Sequence, residues 1–137
     1  MSLEIVNPGD LGIPKGWNHG LLAPTGGRLL FIAGQAGWDE SAPGAPDGFA
    51  EQFARALDKV MAVLREAGGH PTDLARMTIY VTDLPAYRAS RKALGEAWRA
   101  RLGKHYPASS LVAVSGLLDH GALVEIEATA VLGGSEG

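Results

Sequence analysis

The chain has 137 residues, 46% hydrophobic and 20% charged, with a net charge of −3 and no cysteine. That length holds one domain with a real core rather than two, and the absence of cysteine excludes disulfides, thiolate nucleophiles and cysteine metal sites and fits a reducing cytoplasm. An acidic balance without a basic stripe gives nucleic acid no electrostatic footprint, and no apolar run approaches the ~20 residues that a membrane span needs.

Residues 1–15 contain Pro8, Gly9, Gly12 and Pro14 and read as an irregular lead-in without the charged-then-apolar pattern of a signal segment. Residues 16–24, GWNHGLLAP, turn through Thr25-Gly26-Gly27 into RLLFIAGQ, which predicts a hairpin with the glycines supplying positive φ. Residues 29–33 are apolar on both faces and predict a central strand covered on two sides. A loop rich in glycine and proline follows over 36–47. Phe49, Phe53, Ala56, Leu57, Val60, Met61 and Leu64 then recur at helical spacing, with Asp47 the candidate N-cap and Gly68-Gly69 the stop.

Residues 75–82 alternate Met77, Ile79 and Val81 against Arg76, Thr78, Tyr80 and Thr82, a strand pattern. Asp83 and Pro85 open a second helix running to about Leu102, with Leu84, Tyr87, Leu94, Trp98 and Leu102 as its apolar stripe. Arg91 completes that stripe, so its guanidinium must snorkel, meet a carboxylate or line a cleft. Residues 110–115 are apolar on both faces and are read as the partner strand of 123–131. There Val124, Ile126, Ala128 and Ala130 alternate with Leu123, Glu125, Glu127, Thr129 and Val131. Two carboxylates on one strand face are either ordinary solvated glutamates or a site; where water is scarce they raise each other's pKa. In that case one of the two is the proton acceptor and the other the structural member, paired with a basic side chain.

The order of elements predicts an α+β domain with one β-sheet and two helices packed on one face, ending in a short flexible tail about 133–137. The uncovered face is too apolar to leave in water, so assembly through the sheet is expected. Gln35 and Gln52 read as polar contacts of a turn and a helix. His70, His105 and His120 fall in loops without metal-ligand spacing, so no metal or cofactor is expected, and G-x-S-x-G does not occur.

G-W-N-H, FIAGQAG, EQFARALDKVMAVLREAGG, RMTIYVTDL, YPASSLVAV and VEIEATAV occur in that order. Together they resemble the YjgF or reactive-intermediate-deaminase (Rid) superfamily over nearly the whole chain. The resemblance implies a chorismate-mutase-like fold and a homotrimer with small-molecule clefts between subunits. It also implies hydrolysis of reactive enamines and imines such as 2-aminoacrylate, with an arginine holding the substrate carboxylate and a glutamate positioning water. The glutamate maps to Glu125 and the arginine to Ser109, a departure, because a hydroxyl cannot supply a bidentate cationic clamp. Leu111 stands where the deaminating branch often has cysteine, and Trp17-Asn18-His19 where it has an aromatic-Ser-His segment. Trp17, His19, Gly34 and Arg91 are carried over as cleft residues with Ser109, Ser110 and Leu111, and Arg91 or His19 is the candidate substitute for the missing clamp.

Three functional readings follow: hydrolytic deamination of a 2-aminoacrylate-like or 2-aminomuconate-like metabolite, non-catalytic binding of a small carboxylate or carbonyl compound, and the endoribonuclease activity attached to the family name. The last is the weakest on charge alone.

Overall fold

The computed structural model describes residues 3–38, 44, 46 and 48–133. Its frame is a four-stranded sheet in the order β3 (Arg28–Ala36), β6 (Val124–Leu132), β4 (Leu74–Val81), β5 (Ala108–Ala113). The β3 and β4 strands each run antiparallel to β6, while β5 runs parallel to β4. A parallel neighbour needs a crossover, which here is supplied by α2 (Leu84–Ala89) and α3 (Arg91–Leu102). A two-stranded ribbon, β1 (Glu4–Val6) with β2 (Gly20–Leu22), stands beside the sheet. Among the described residues no helix is long and apolar enough to cross a membrane.

All helices lie on one face. The apolar stripe of α1 (Phe49–Glu66) is buried along its length, with Ala56, Leu57, Val60 and Leu64 wholly inaccessible. It packs on Ile32, Met77, Ile79, Ile126 and Ala128 of the sheet and on Leu94 and Trp98 of α3. Gly68, at φ 82°, ends α1 in a Schellman turn, its N–H donating to Arg65 O and that of Gly69 to Leu64 O, both at 2.9 Å. Arg101 of α3 grips Asp58 of α1 through Nε at 2.6 Å and Nη2 at 3.2 Å. Gln52, fully buried, is saturated: Nε2 donates to Pro46 O at 3.1 Å and Gly121 O at 2.8 Å, and Oε1 accepts from Leu123 N–H at 2.8 Å. That side chain ties α1 to the segment entering β6.

Several expectations need correction. The segment at 16–24 does not form a hairpin with β3. Asn18 instead bridges Ala108 of β5, its Nδ2 donating to Tyr106 O at 2.6 Å, so this stretch lies at the opposite edge of the sheet and β2 turns back onto β1. The lead-in is accordingly not wholly irregular, since it contains β1 and a 3₁₀ turn over Gly9–Leu11. The apolar β3 is an edge strand, with Leu29 61% and Phe31 74% exposed on the side without helices. An uncovered apolar face produces the same sequence pattern as a doubly covered one. Residues 110–115 are not the partner of β6, because β4 lies between them. The second helix is two: Ser90 N–H donates to Tyr87 O three residues back, tightening the turn, and α3 restarts at Arg91. Gly48 occupies the N-cap of α1; Asp47 and the tail beyond Gly133 lie outside the described residues.

Candidate functional site

A cavity of about 260 Å³ opens where α3 leans over β4 and β5. Its sheet wall is Ile79, Ser109 and Leu111, and its helix wall is Tyr87, Arg91, Leu94, Gly95, Trp98 and Arg99, with Gly16, Phe53 and Tyr106 closing the ends. Ser109 is in register with the buried Met77, which places both on the helix side of the sheet. Trp98 is fixed by stacking on Tyr106, centroids 5.9 Å apart and planes 7° from parallel, and by donating Nε1–H to His105 O at 3.1 Å. Arg91 neither packs into the core nor pairs with a carboxylate among the described residues. It is exposed at the mouth, beside Ser109 and Leu111 in the same lining. Arg99 was not among the expected site residues. Its signal was available as spacing, because 91, 95 and 99 fall on one strip of a helix and the middle position is glycine.

Glu125 and Gly34 meet on the opposite face of the sheet. A Cβ on Gly34 would stand 2.9 Å from the carboxyl carbon of Glu125, so only glycine lets that carboxylate lie over the bulge between Ile32 and Gln35. Tyr80 and Ala36 are the register neighbours of Glu125 on its two sides. Tyr80 donates its hydroxyl to Glu127 Oε1 at 2.5 Å, which replaces the expected basic partner of Glu127 with a phenol. That hydrogen bond, helped by desolvation and by the charges of Glu127 and Glu125, holds the Tyr80 pKa above 10.0. Ser110 points to this face as well, where its Oγ accepts from Arg76 Nη2 at 3.2 Å.

Trp17 and His19 form a third group at the β5 edge, rings 4.5 Å apart in an edge-on pair. His19 N–H donates to Asn7 Oδ1 at 2.7 Å, and its Nε2 is buried without a hydrogen-bond partner among the described residues. Gly16, next to Trp17, reaches the cavity; the rings of Trp17 and His19 are not part of its lining. The eight expected site residues thus divide three ways. Arg91, Ser109 and Leu111 share the cavity, Glu125 and Gly34 share the open sheet face with Ser110, and Trp17 with His19 borders the edge. Ser109 and Glu125 lie on opposite sides of one sheet, so within a single chain they cannot act on one small molecule.

The family model described as Endoribonuclease L-PSP matches residues 15–132. The chain belongs to this family, the YjgF/Rid superfamily. A RutC family protein of Pyrococcus abyssi is 31% identical over 105 residues, covering 76% of this chain and 79% of that protein. The 2-iminobutanoate/2-iminopropanoate deaminase of Escherichia coli is 31% identical over 105 residues, covering 77% and 80%. Among solved structures, a Rid family protein of unknown function from Yersinia pestis superposes with a TM-score of 0.78 at 30% identity, covering 96% of this chain and all of that one. Escherichia coli TdcF with bound serine superposes with a TM-score of 0.67 at 25% identity over 97% and 99%. The α+β architecture, with its helices on one side of the sheet, is that of these YjgF/Rid neighbours.

Proposed function

We propose that this protein hydrolyses a small enamine or imine carboxylate to the carbonyl compound and ammonia, in a cleft completed by a second copy of the chain within a homotrimer. The observation that carries this reading is the cavity that gathers Ser109, Leu111 and an Arg91 with no ion-pair partner among the described residues, in a chain whose relatives include imine deaminases. Arg91 holds the substrate carboxylate in place of the clamp lost at Ser109, as a charged donor at the cavity mouth. An enamine first tautomerises to its imine; Glu125 of the neighbouring copy then takes a proton from water as the water oxygen adds to the C=N carbon and delivers it to the nitrogen. The resulting carbinolamine expels ammonia as the carbonyl forms, so water enters and ammonia leaves with no redox change. Gly34 leaves the Glu125 carboxylate room beside the strand, and the Ser109 hydroxyl polarises the substrate.

The character of the open face supports its assembly. Phe31 and Leu29 are broadly exposed there beside charged and hydroxyl groups, the mixture expected of an interface rather than of a solvated sheet. The test is ammonia release from enzymatically generated 2-aminoacrylate and from 2-aminomuconate, measured against the spontaneous rate. Turnover of either above background, lost in Glu125→Gln, supports the reading; background rates with both sink it. The second reading, a non-catalytic binder of a small carboxylate, is favoured by Ser109 itself and by a structural relative that holds serine. It predicts saturable binding without ammonia release.

A further inference from the structure

We propose that the gap between the N-terminal ribbon and the turn after α3 is a second small-molecule site, which takes a short aliphatic chain ending in one carboxylate. It is separate from the cleft described above and stands whether or not that cleft is catalytic.

Ile5 of β1 is paired with Leu21 of β2, so their side chains leave the ribbon on the same face, and Leu3, two residues from Ile5, joins them. All three line a pocket of about 230 Å³ against the body of the domain. Ile5 nevertheless remains 61% exposed. A two-stranded ribbon has little stability of its own and depends on packing one face. Here polar bonds pin one end of it: Asn7 Nδ2 donates to Asn18 Oδ1 at 2.9 Å, and Asn18 Nδ2 donates to Tyr106 O at 2.6 Å. The apolar face is left open over the gap.

The opposite wall has a different character. Tyr106 is the one residue that this pocket shares with the cavity under α3. Asn18 has both polar ends engaged, and His105 Nε2 lies 2.7 Å from Leu74 O, so that nitrogen carries the hydrogen. Two groups remain, the hydroxyl of Thr72, in the 3₁₀ turn Pro71–Asp73, and the ammonium of Lys104. Neither has a polar partner among the described residues. Among those residues no carboxylate lines the pocket. Glu4 is paired with Leu22 on the other face of the ribbon, and Asp73 accepts from His70 N–H at 2.8 Å.

The pocket thus has an aliphatic side and a side that carries a cation and a hydroxyl, and its complement is an amphipathic anion. A carboxylate between Thr72 and Lys104 accepts from both, while its tail takes Ile5 and Leu21 out of water. The volume is below that of most ligand sites, which limits the tail to about four to six carbons.

Hexanoate is the probe, titrated by calorimetry into the full-length protein, with acetate and hexylamine for comparison. Hexanoate should bind about tenfold or more tighter than acetate, because the added methylenes leave water, and hexylamine should not compete with it. Lys104→Gln should weaken hexanoate about threefold or more, the scale of an exposed charge pair. Ile5→Ser should bring hexanoate toward acetate. Both positions are exposed, so neither change removes core, and circular dichroism checks that the fold is kept. Arg91→Gln separates the two sites, because a probe at the ribbon is indifferent to it. Loss of hexanoate binding in Arg91→Gln, or undiminished binding in Lys104→Gln, places the probe elsewhere and overturns the proposal. Equal affinity for hexanoate and acetate, competition by hexylamine, or no binding of hexanoate at millimolar concentration overturns it as well.

Discussion

The two faces of the sheet are built from the same strands and differ in almost everything else. On β4 and β6 the residues that point toward the helices, Met77, Val81, Val124 and Ile126, are wholly inaccessible. Their alternates, Thr78, Tyr80, Glu125 and Glu127, are half-buried and polar. One face is completed by the chain's own helices; the other joins a phenol–carboxylate pair, an arginine–serine contact and a widely exposed phenylalanine. A face completed from within specifies the fold, and a face left incomplete is free to specify assembly and chemistry. The contrast is broken most strongly by truncation on each side of β6. Ile126→Ala should cost about 2–5 kcal/mol in urea unfolding, by loss of buried methyl groups plus the cavity left behind. Thr129→Ala, three residues away on the other face, should stay within about 0.5 kcal/mol. Similar losses at both positions would mean that the open face is as much core as the covered one.

Substitution of Phe31 addresses the open face directly. Phe31→Ser should leave the far-ultraviolet spectrum unchanged while lowering the sedimentation mass at micromolar concentration from three chains toward one. A wild-type protein that already sediments as one chain would refute the assembly.

How much of this the sequence revealed depends on whether a signal was local. The stripe of α1 and the alternation of β4 and β6 were legible because burial on one side leaves a period that any window detects. The edge position of β3 was not, because an exposed apolar face, as at Leu29 and Phe31, gives the same sequence pattern as a doubly covered one. Strand order was equally hidden: β5 and β6 are successive in sequence, yet β4 separates them, since its pairing with both is a long-range choice. At the site, Glu125, Ser109 and Arg91 were found one at a time. That Ser109 and Glu125 face opposite ways depends on register rather than on residue type. Arg99 escaped because an arginine beside a helical glycine resembles any solvated helix position until the wall it faces is known.

Cavity and open face should also differ in activity. Glu125→Gln should reduce ammonia release to background with the assembly mass unchanged, whereas Glu127→Gln should lower thermal stability more than rate, because it weakens the acceptor that holds Tyr80. Equal behaviour of the two variants in both assays would reduce this face to a surface. On the cavity side, wild-type hydrolysis of 2-aminoacrylate should run at least ~100-fold below that of relatives with arginine at this position, since a charged carboxylate contact is worth on the order of 3 kcal/mol. Ser109→Arg should recover part of that difference. No gain in a variant that folds normally would show that the anchor is not what limits this chain.

The smallest effect is the titration of Tyr80. In the fold its neutral hydroxyl donates to Glu127, and that bond, with desolvation and the two glutamate charges, lifts its pKa above the ordinary 10.0. A pKa raised in the folded state means that the contribution is fully present below pH ~10, where folded and unfolded chains both carry the proton. Above that pH the unfolded chain releases the proton first, so stability falls as pH rises and the contribution is gone once pH passes the folded pKa. The stability difference between wild type and Tyr80→Phe should therefore be constant near neutrality and shrink through the alkaline range. The wild-type minus Tyr80→Phe tyrosinate absorbance should show a midpoint above 10.0, and Glu127→Gln should move that midpoint down by removing the anionic acceptor. A midpoint at or below 10.0 in the wild type would mean that the phenol is solvated and that nothing ties the two central strands together on the open face at this point.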